Sequence, residues 1–171
     1  GPLLSSSVQG AAPVARAAGV RVIAFSSDRS VAGDGVFTLG FLPRAQVDRV
    51  IGFARGRGVQ RFAALAPDNP YGRTVLDAFR AAVIGAGGEI ARVELYNPDA
   101  ADFSAVVRDM ADYEFRRATL LEQRKELEGK EDEVSKAALA RLETLQTMGD
   151  LPYDALLVAD GGKRLQAVAA L

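Results

Sequence analysis

Cysteine and histidine are both absent from the 171 residues. Without thiols there can be no disulfide and no thiolate nucleophile, and without imidazole as well there is no Cys/His zinc site. The usual general base of a Ser-His-Asp triad is missing too. Carboxylates are left as the side chains for acid–base work, and the nearest candidates, Asp28 and Asp68, have no partner visible in the sequence. The lack of cysteine fits reducing and oxidising compartments alike. No run approaches the roughly 18 apolar residues of a membrane span, and no signal-peptide pattern is visible. No charge of one sign predominates: 21 basic and 22 acidic residues give a net charge of −1. That balance exerts no pull toward nucleic acid or an anionic membrane.

Cofactor motifs are lacking as well. Asp160-Gly161-Gly162-Lys163 is a glycine-rich turn after an apolar run, but it does not have the spacing of a Walker motif. It reads as a tight strand-to-helix turn. Gly85-Ala86-Gly87-Gly88 follows a helical pattern rather than a strand, so it is no dinucleotide fingerprint. No cofactor is expected.

What the chain does have is a large apolar fraction, 49%, enough for a substantial core. Its patterns alternate. Ser7 to Ala18 is Ala-rich and helical, with Gly19 just past its end and Pro13 inside it, where a kink or a fresh start is expected. VRVIAF (20–25) is a short apolar run of the kind found in strands buried on both faces, and VFTLGFL (36–42) is a second strand. Pro43 opens a helix to Arg55 with Val47, Val50, Ile51 and Ala54 on one face. Arg61 to Ala66 is a third strand. Arg73 to Ala86 is a helix carrying Val75, Leu76, Phe79, Ala82 and Val83. EIARVELY (89–96) alternates, as a strand near a sheet edge does. Asp102 is placed to cap the next helix. Asp154 to Ala159 is the last strand, and a helix begins at Gly162. The alternation predicts an α/β fold: a Rossmann-like, mainly parallel sheet flanked by helices.

One segment breaks the rhythm. Tyr113 to Thr147 carries 15 charged residues, seven basic and eight acidic. Glu126/Lys130, Asp132/Lys136 and Glu122/Lys125 have helical spacing for ion pairs. Leu120 and Leu127 form one narrow apolar stripe, Val134, Ala138, Leu142 and Leu145 another, and Gly129 separates them. The prediction is a mostly wet helical hairpin inserted over about 113–148, either a solvated pair of helices or a docking surface.

In open parallel sheets, ligands bind beyond the carboxyl ends of the strands. Four loops fall there: Pro2 to Ser7, Ser26 to Gly35, Pro67 to Gly72 and Asp160 to Lys163. Ser5, Ser6 and Ser7 at a helix start offer hydroxyls and free N–H groups to an anion, or plain helix caps. Ser26-Ser27-Asp28-Arg29-Ser30, with Ser27 and Asp28 as the candidates for contact, offers donors and acceptors together, or forms a polar turn with an Asp28–Arg29 pair. Tyr71 offers an apolar face and a phenol tip to a cleft, or covers its own helix.

Taken in order, Gly1-Pro2-Leu3-Leu4-Ser5-Ser6-Ser7, Val22 to Ser27, Asp68-Asn69-Pro70-Tyr71-Gly72 and Asp102-Phe103-Ser104 resemble the leucine/isoleucine/valine-binding family of type I periplasmic binding proteins. The likeness runs over about residues 1–110 and more loosely from Asp154. It implies a two-lobed fold with the lobe change near Gly40 to Pro43, so that 1–42 ends the first lobe and 43–171 begins the second. The opening Gly-Pro loop then reads as that of a chain beginning inside a domain; a cloning remnant ending near Leu3 is the other reading. The resemblance further implies a periplasmic, non-enzymatic protein that binds a small polar solute such as an amino acid. Ser5, Ser6, Ser7, Ser27 and Asp28 would form one wall of the site and Tyr71 the other. Asp28 stands where amino-acid binders of the family place a small hydroxyl residue.

GPLL, Phe41-Leu42-Pro43, the charged insertion and the Asp160-Gly161-Gly162 turn are similar to a sub-branch, lipoprotein activators of penicillin-binding proteins. That implies a role in peptidoglycan synthesis with a penicillin-binding protein as partner, and outer-membrane anchoring of the full-length form. The alternative is the substrate-binding protein of an ABC transporter for branched-chain or other amino acids.

Overall fold

The computed structural model describes all of residues 1–171. Helix α1 (Ser5–Ala17) leads into strand β1 (Val22–Ala24), a short 3-10 turn at Arg29–Val31, and strand β2 (Val36–Thr38). Then follow α2 (Pro43–Arg55), β3 (Arg61–Pro67), α3 (Pro70–Gly85), β4 (Glu89–Tyr96), α4 (Ser104–Met110), α5 (Tyr113–Leu127), α6 (Glu133–Glu143), β5 (Ala155–Val158) and α7 (Gly162–Ala169). The strands make two parallel sheets, β1-β2 and β4-β3-β5. The α/β architecture and the edge position of β4 match the alternation read from the sequence.

Strand β3 is central and buried on both faces because its run FAALAP has no polar residue to expose. Phe62, Ala64 and Ala66 pack with Val47 and Ile51 of α2 and Val75, Leu76, Phe79 and Val83 of α3. Ala63 and Leu65 face the other way, onto Tyr96, Phe103, Met110 and Val168. The alanines let the helices approach closely. Burying one large side chain such as Phe79 contributes on the order of 2–3 kcal/mol.

The first sheet departs from expectation. VRVIAF is not buried on both faces: β1 spans three residues, and Ile23 and Phe25 are exposed. Only one face is covered, by Val8 of α1 against Ala24 and Val36. Phe37, Leu39 and Phe41 are exposed as well. Pro13 does not restart α1, which runs unbroken through it. Val50 lies off the buried stripe of α2 and is exposed, whereas Val47 and Ile51 are buried.

The hairpin forms as α5 and α6, but its pairing differs from the spacing rule. Glu126/Lys130, Asp132/Lys136 and Glu122/Lys125 form no ion pairs; Lys136 instead lies 3.7 Å from Glu133. Lys130 falls in the turn beyond α5, and the Asp132 carboxylate is used as a cap, accepting from the Ser135 N–H at 2.9 Å. Val134 is exposed, so the second stripe is carried by Ala138 and Leu142. Guanidinium groups on carbonyls help to hold the hairpin. Arg124 donates to Leu142 O at 2.7 Å and Leu145 O at 2.9 Å, and Arg116 donates to Gly149 O at 3.0 Å. Asp102 caps α4 from one residue further out than expected, accepting from the Ser104 N–H at 2.9 Å while Phe103 occupies the cap position.

Candidate functional site

A cavity of about 490 Å³ opens where the loops after β1 and β3 meet the start of α1. Its size suits a small molecule. Ser5, Ser27, Asp28 and Tyr71 all line it, so four of the six sequence-predicted residues are brought together. Ser6 and Ser7 do not line it; they lie further along the same helical turn and are exposed to solvent.

Each side chain has a local reason for its place. Ser5 is the first residue of α1, whose cap position is held by Leu4 with no side-chain bond to the helix. The serines are therefore not caps, and the first-turn N–H groups of α1 keep no intrahelical partner. Ser26 is buried, and its hydroxyl accepts from the Asp28 N–H at 3.1 Å. Asp28 in turn accepts from the Ser30 N–H at 2.8 Å and caps the 3-10 turn. The Asp28–Arg29 pair of the alternative reading does not form; the Asp28 carboxylate caps the 3-10 turn instead.

Tyr71 enters from the opposite side, in the first turn of α3. Asn69 caps this helix by accepting from the Gly72 N–H at 2.9 Å, and Pro70 occupies its first position. Gly72 is required there. A Cβ on it would lie 1.9 Å from the carbonyl oxygen of Pro67, so only glycine lets α3 start this close to the end of β3. Gly40 plays a similar part, with its Cβ position 2.5 Å from the Ser26 carbonyl oxygen. Tyr71 is half exposed and lines the cavity together with Pro70 and Thr74.

Outside the loops singled out in the sequence, the lining also includes Leu42, Pro43, Arg44 and Thr74, which sequence reasoning missed. Arg29 and Ser30, also in the lining, belong to a loop already singled out. Arg44 had no signal beyond following Pro43 at a helix start. The fourth loop, from Asp160, does not reach this cavity. Asp160 lines a smaller neighbouring space of about 180 Å³ that shares Tyr71 and Pro43. Its carboxylate is held by Arg164 at 2.9 Å and by the Tyr96 hydroxyl. The Arg164 guanidinium, ahead of the Tyr96 hydroxyl, draws the Asp160 carboxyl down to about 2. Burial and the neighbouring carboxylate push the Tyr96 phenol well above its ordinary range. The other carboxylate considered for acid–base work, Asp68, is paired with Arg73 at 2.7 Å. No group of three or more carboxylates in this histidine- and cysteine-free chain is arranged to hold a metal ion, and no helix is long and apolar enough to cross a membrane.

The model of a family described as periplasmic binding protein matches residues 1–114. Among solved structures, an ABC transporter substrate-binding protein from Desulfitobacterium hafniense in complex with leucine is 17% identical, with a TM-score of 0.55, over 67% of this chain and 35% of that one. A solute-binding protein of an ABC transporter from Rhodopseudomonas palustris, in complex with 3,4-dihydroxybenzoic acid, is 23% identical with a TM-score of 0.52, over 66% and 32%. A leucine-binding protein from Thermotoga maritima is 21% identical with a TM-score of 0.50, over 64% and 32%. The chain spans about a third of the length of each, and at these identities the likeness is one of fold. No curated protein matches the chain.

Proposed function

The chain belongs to the periplasmic binding protein family, and from that premise we propose that it supplies part of the solute cleft of a non-enzymatic ABC transporter substrate-binding protein acting in the periplasm. The solute is a small carboxylate-bearing molecule, an amino acid or another organic acid. Residues 1–42 are read as the end of one lobe and 43–171 as the beginning of the other, with the cleft between them. The observation that carries the reading is the convergence of Ser5, Ser27 and Asp28 with Tyr71, from separate loops, on one cavity. A helix start with free N–H groups and hydroxyls favours a carboxylate.

Thermal melting of the chain with leucine, isoleucine, valine and 3,4-dihydroxybenzoate tests this. A solute that binds only the folded state stabilises it, by about 2.7 kcal/mol at a hundred times its Kd. A rise of several degrees with one of these solutes supports the reading, and no shift with a broad panel of amino acids and organic acids rejects it.

A second reading is favoured by the α5–α6 hairpin. Phe115, Leu121 and Val134 are exposed on it amid its charges. This reading is an activator of penicillin-binding proteins in peptidoglycan synthesis, carried as a lipoprotein, with the hairpin as the contact. Deleting residues 114–147 should then abolish capture by a penicillin-binding protein while the three-stranded sheet still melts cooperatively. Capture that survives the deletion removes the hairpin from consideration.

A further inference from the structure

We infer that the corner between α4 and α5 is a conformational switch, in which a broken helix straightens into one continuous helix over 104–127 and swings the α5–α6 hairpin with it. The inference stands apart from the solute-binding reading. Residues 104–127 contain no glycine and no proline, and most of them are good helix formers. The local sequence therefore favours one helix, yet the structure breaks it. The break falls at Asp112, which is held in the left-handed region with φ 47° and ψ 39°. For a residue other than glycine that conformation is costly, and it persists only where the surroundings impose it.

What imposes it is Arg92, on the edge strand β4. Its guanidinium donates to the Asp112 carboxylate and lies 3.0 Å from that of Asp109, so one side chain grips both the end of α4 and the corner itself. Glu94 stands 3.6 Å away on the same strand. The Arg92 side chain is only 26% exposed, which strengthens the grip over that of a surface pair. The straight form compensates for its loss. The N–H groups of Tyr113, Glu114 and Phe115, in the first turn of α5, have no intrahelical partner. In a continuous helix they would reach the carbonyls of Asp109, Met110 and Ala111. The Ala111 carbonyl accepts instead from Arg116 Nη1 at 3.4 Å. Asp112 would not be orphaned either: Arg108 and Arg116 lie four residues before and after it, at helical ion-pair spacing. Arg116 also ties Gly149 to the hairpin, and residues 150–153 beyond it form no helix or strand, which leaves slack before Asp154. The same sequence thus supports two arrangements that differ at one backbone position.

Two substitutions at the corner decide it. The chain has no cysteine, so spin labels attach only where cysteines are introduced: Ile84→Cys on α3 and Glu128→Cys at the end of α5, both exposed. Electron-spin distance measurement on this labelled chain should give one main distance. Asp112→Ala loses the grip of Arg92 and keeps the left-handed penalty, so it should move to a second distance. Asp112→Gly loses the same carboxylate, but glycine adopts positive φ freely and disfavours a helix interior, so it should keep the first. The ratio of the two populations should differ by about tenfold or more between these variants. Deuterium exchange should show the amides of Tyr113, Glu114 and Phe115 gaining protection in Asp112→Ala alone. Arg92→Gln, which leaves Asp112 in place, should also populate the second distance. Loss of an ordinary ion pair would affect the alanine and glycine variants alike. Equal distance distributions in those two, or the first distance alone in Asp112→Ala, overturns the switch. If Asp112→Ala does not melt cooperatively, Arg92→Gln decides, and the first distance alone in that variant overturns it.

Discussion

Asp154 and Arg61 clasp each other across the starts of two neighbouring strands. Asp154 Oδ1 accepts from Arg61 Nη2 at 2.8 Å and Nε at 3.2 Å, while Oδ2 accepts from the backbone N–H groups of Arg61 at 2.8 Å and Gln60 at 3.1 Å. The Asp154 N–H returns the bond to the Arg61 carbonyl at 2.8 Å. The next residues, Phe62 and Ala155, are the first register partners of β3 and β5. The clasp therefore fixes where the chain re-enters the sheet after the whole excursion through α4, α5 and α6.

This clasp gives the protein an acid-sensitive component. The Arg61 backbone N–H, then its guanidinium, hold the Asp154 carboxyl at about 2, and Arg164 does the same for Asp160. Both folded values lie below the unfolded value of about 3.9. Their contribution is complete above about pH 5 and is lost progressively as the pH falls through about 2. Melting curves between pH 6 and pH 2.5 should show the loss, and a double Asp154→Asn, Asp160→Asn variant should show a smaller one. An equal loss in that variant would place the acid sensitivity elsewhere.

Gly72→Ala should destabilise by about 1–3 kcal/mol or more, because backbone rather than a flexible side chain occupies the place of the new methyl. Gly52→Ala is the control. Its Cβ meets nothing within 4 Å in the middle of α2, so it should stabilise by roughly 0.5–1 kcal/mol. Chemical denaturation of the two variants measures both, and similar effects from the two would count against the close approach of α3 to β3.

Within the first turn of α1, only Ser5 lines the cavity. Ser5→Ala and Tyr71→Ala should each weaken solute binding several-fold, whereas Ser6→Ala and Ser7→Ala should leave it unchanged. Titration of the four variants with the best-bound solute checks this. Equal losses from all three serines would mean that the solute sits on the outer face of the helix instead.

Ile23 and Phe37 are direct register partners on the uncovered face of the β1-β2 sheet. With Phe25, Leu39 and Phe41 they make an apolar patch of the sort that drives association. Light scattering should show concentration-dependent self-association of the chain. Ile23→Lys with Phe37→Lys should reduce it without lowering the melting temperature, since neither side chain is buried.

The second sheet was readable because FAALAP is apolar throughout and the helices around it carry Leu, Val and Phe at helical spacing. The first was misread for an informative reason. VRVIAF has the same apolar character, but its packing depends on what lies against it, which local pattern does not encode. The ion pairs of the hairpin failed similarly: spacing places charges near each other, yet Asp132 finds a better use on the Ser135 N–H. For the cleft, the loops were legible from their position after strands. Arg44 was not, because nothing local distinguishes it from any other surface arginine.

The hairpin has a further consequence for how the molecule opens. Leu120 is the one residue of α5 and α6 that is fully enclosed, and arginine side chains on peptide oxygens hold the pair besides. Amides of α5 and α6 should exchange with deuterium through a separate, low-energy fluctuation, while those of β3 wait for global unfolding. Such a pattern would give the protein two tiers of rigidity, with its most charged segment in the softer one.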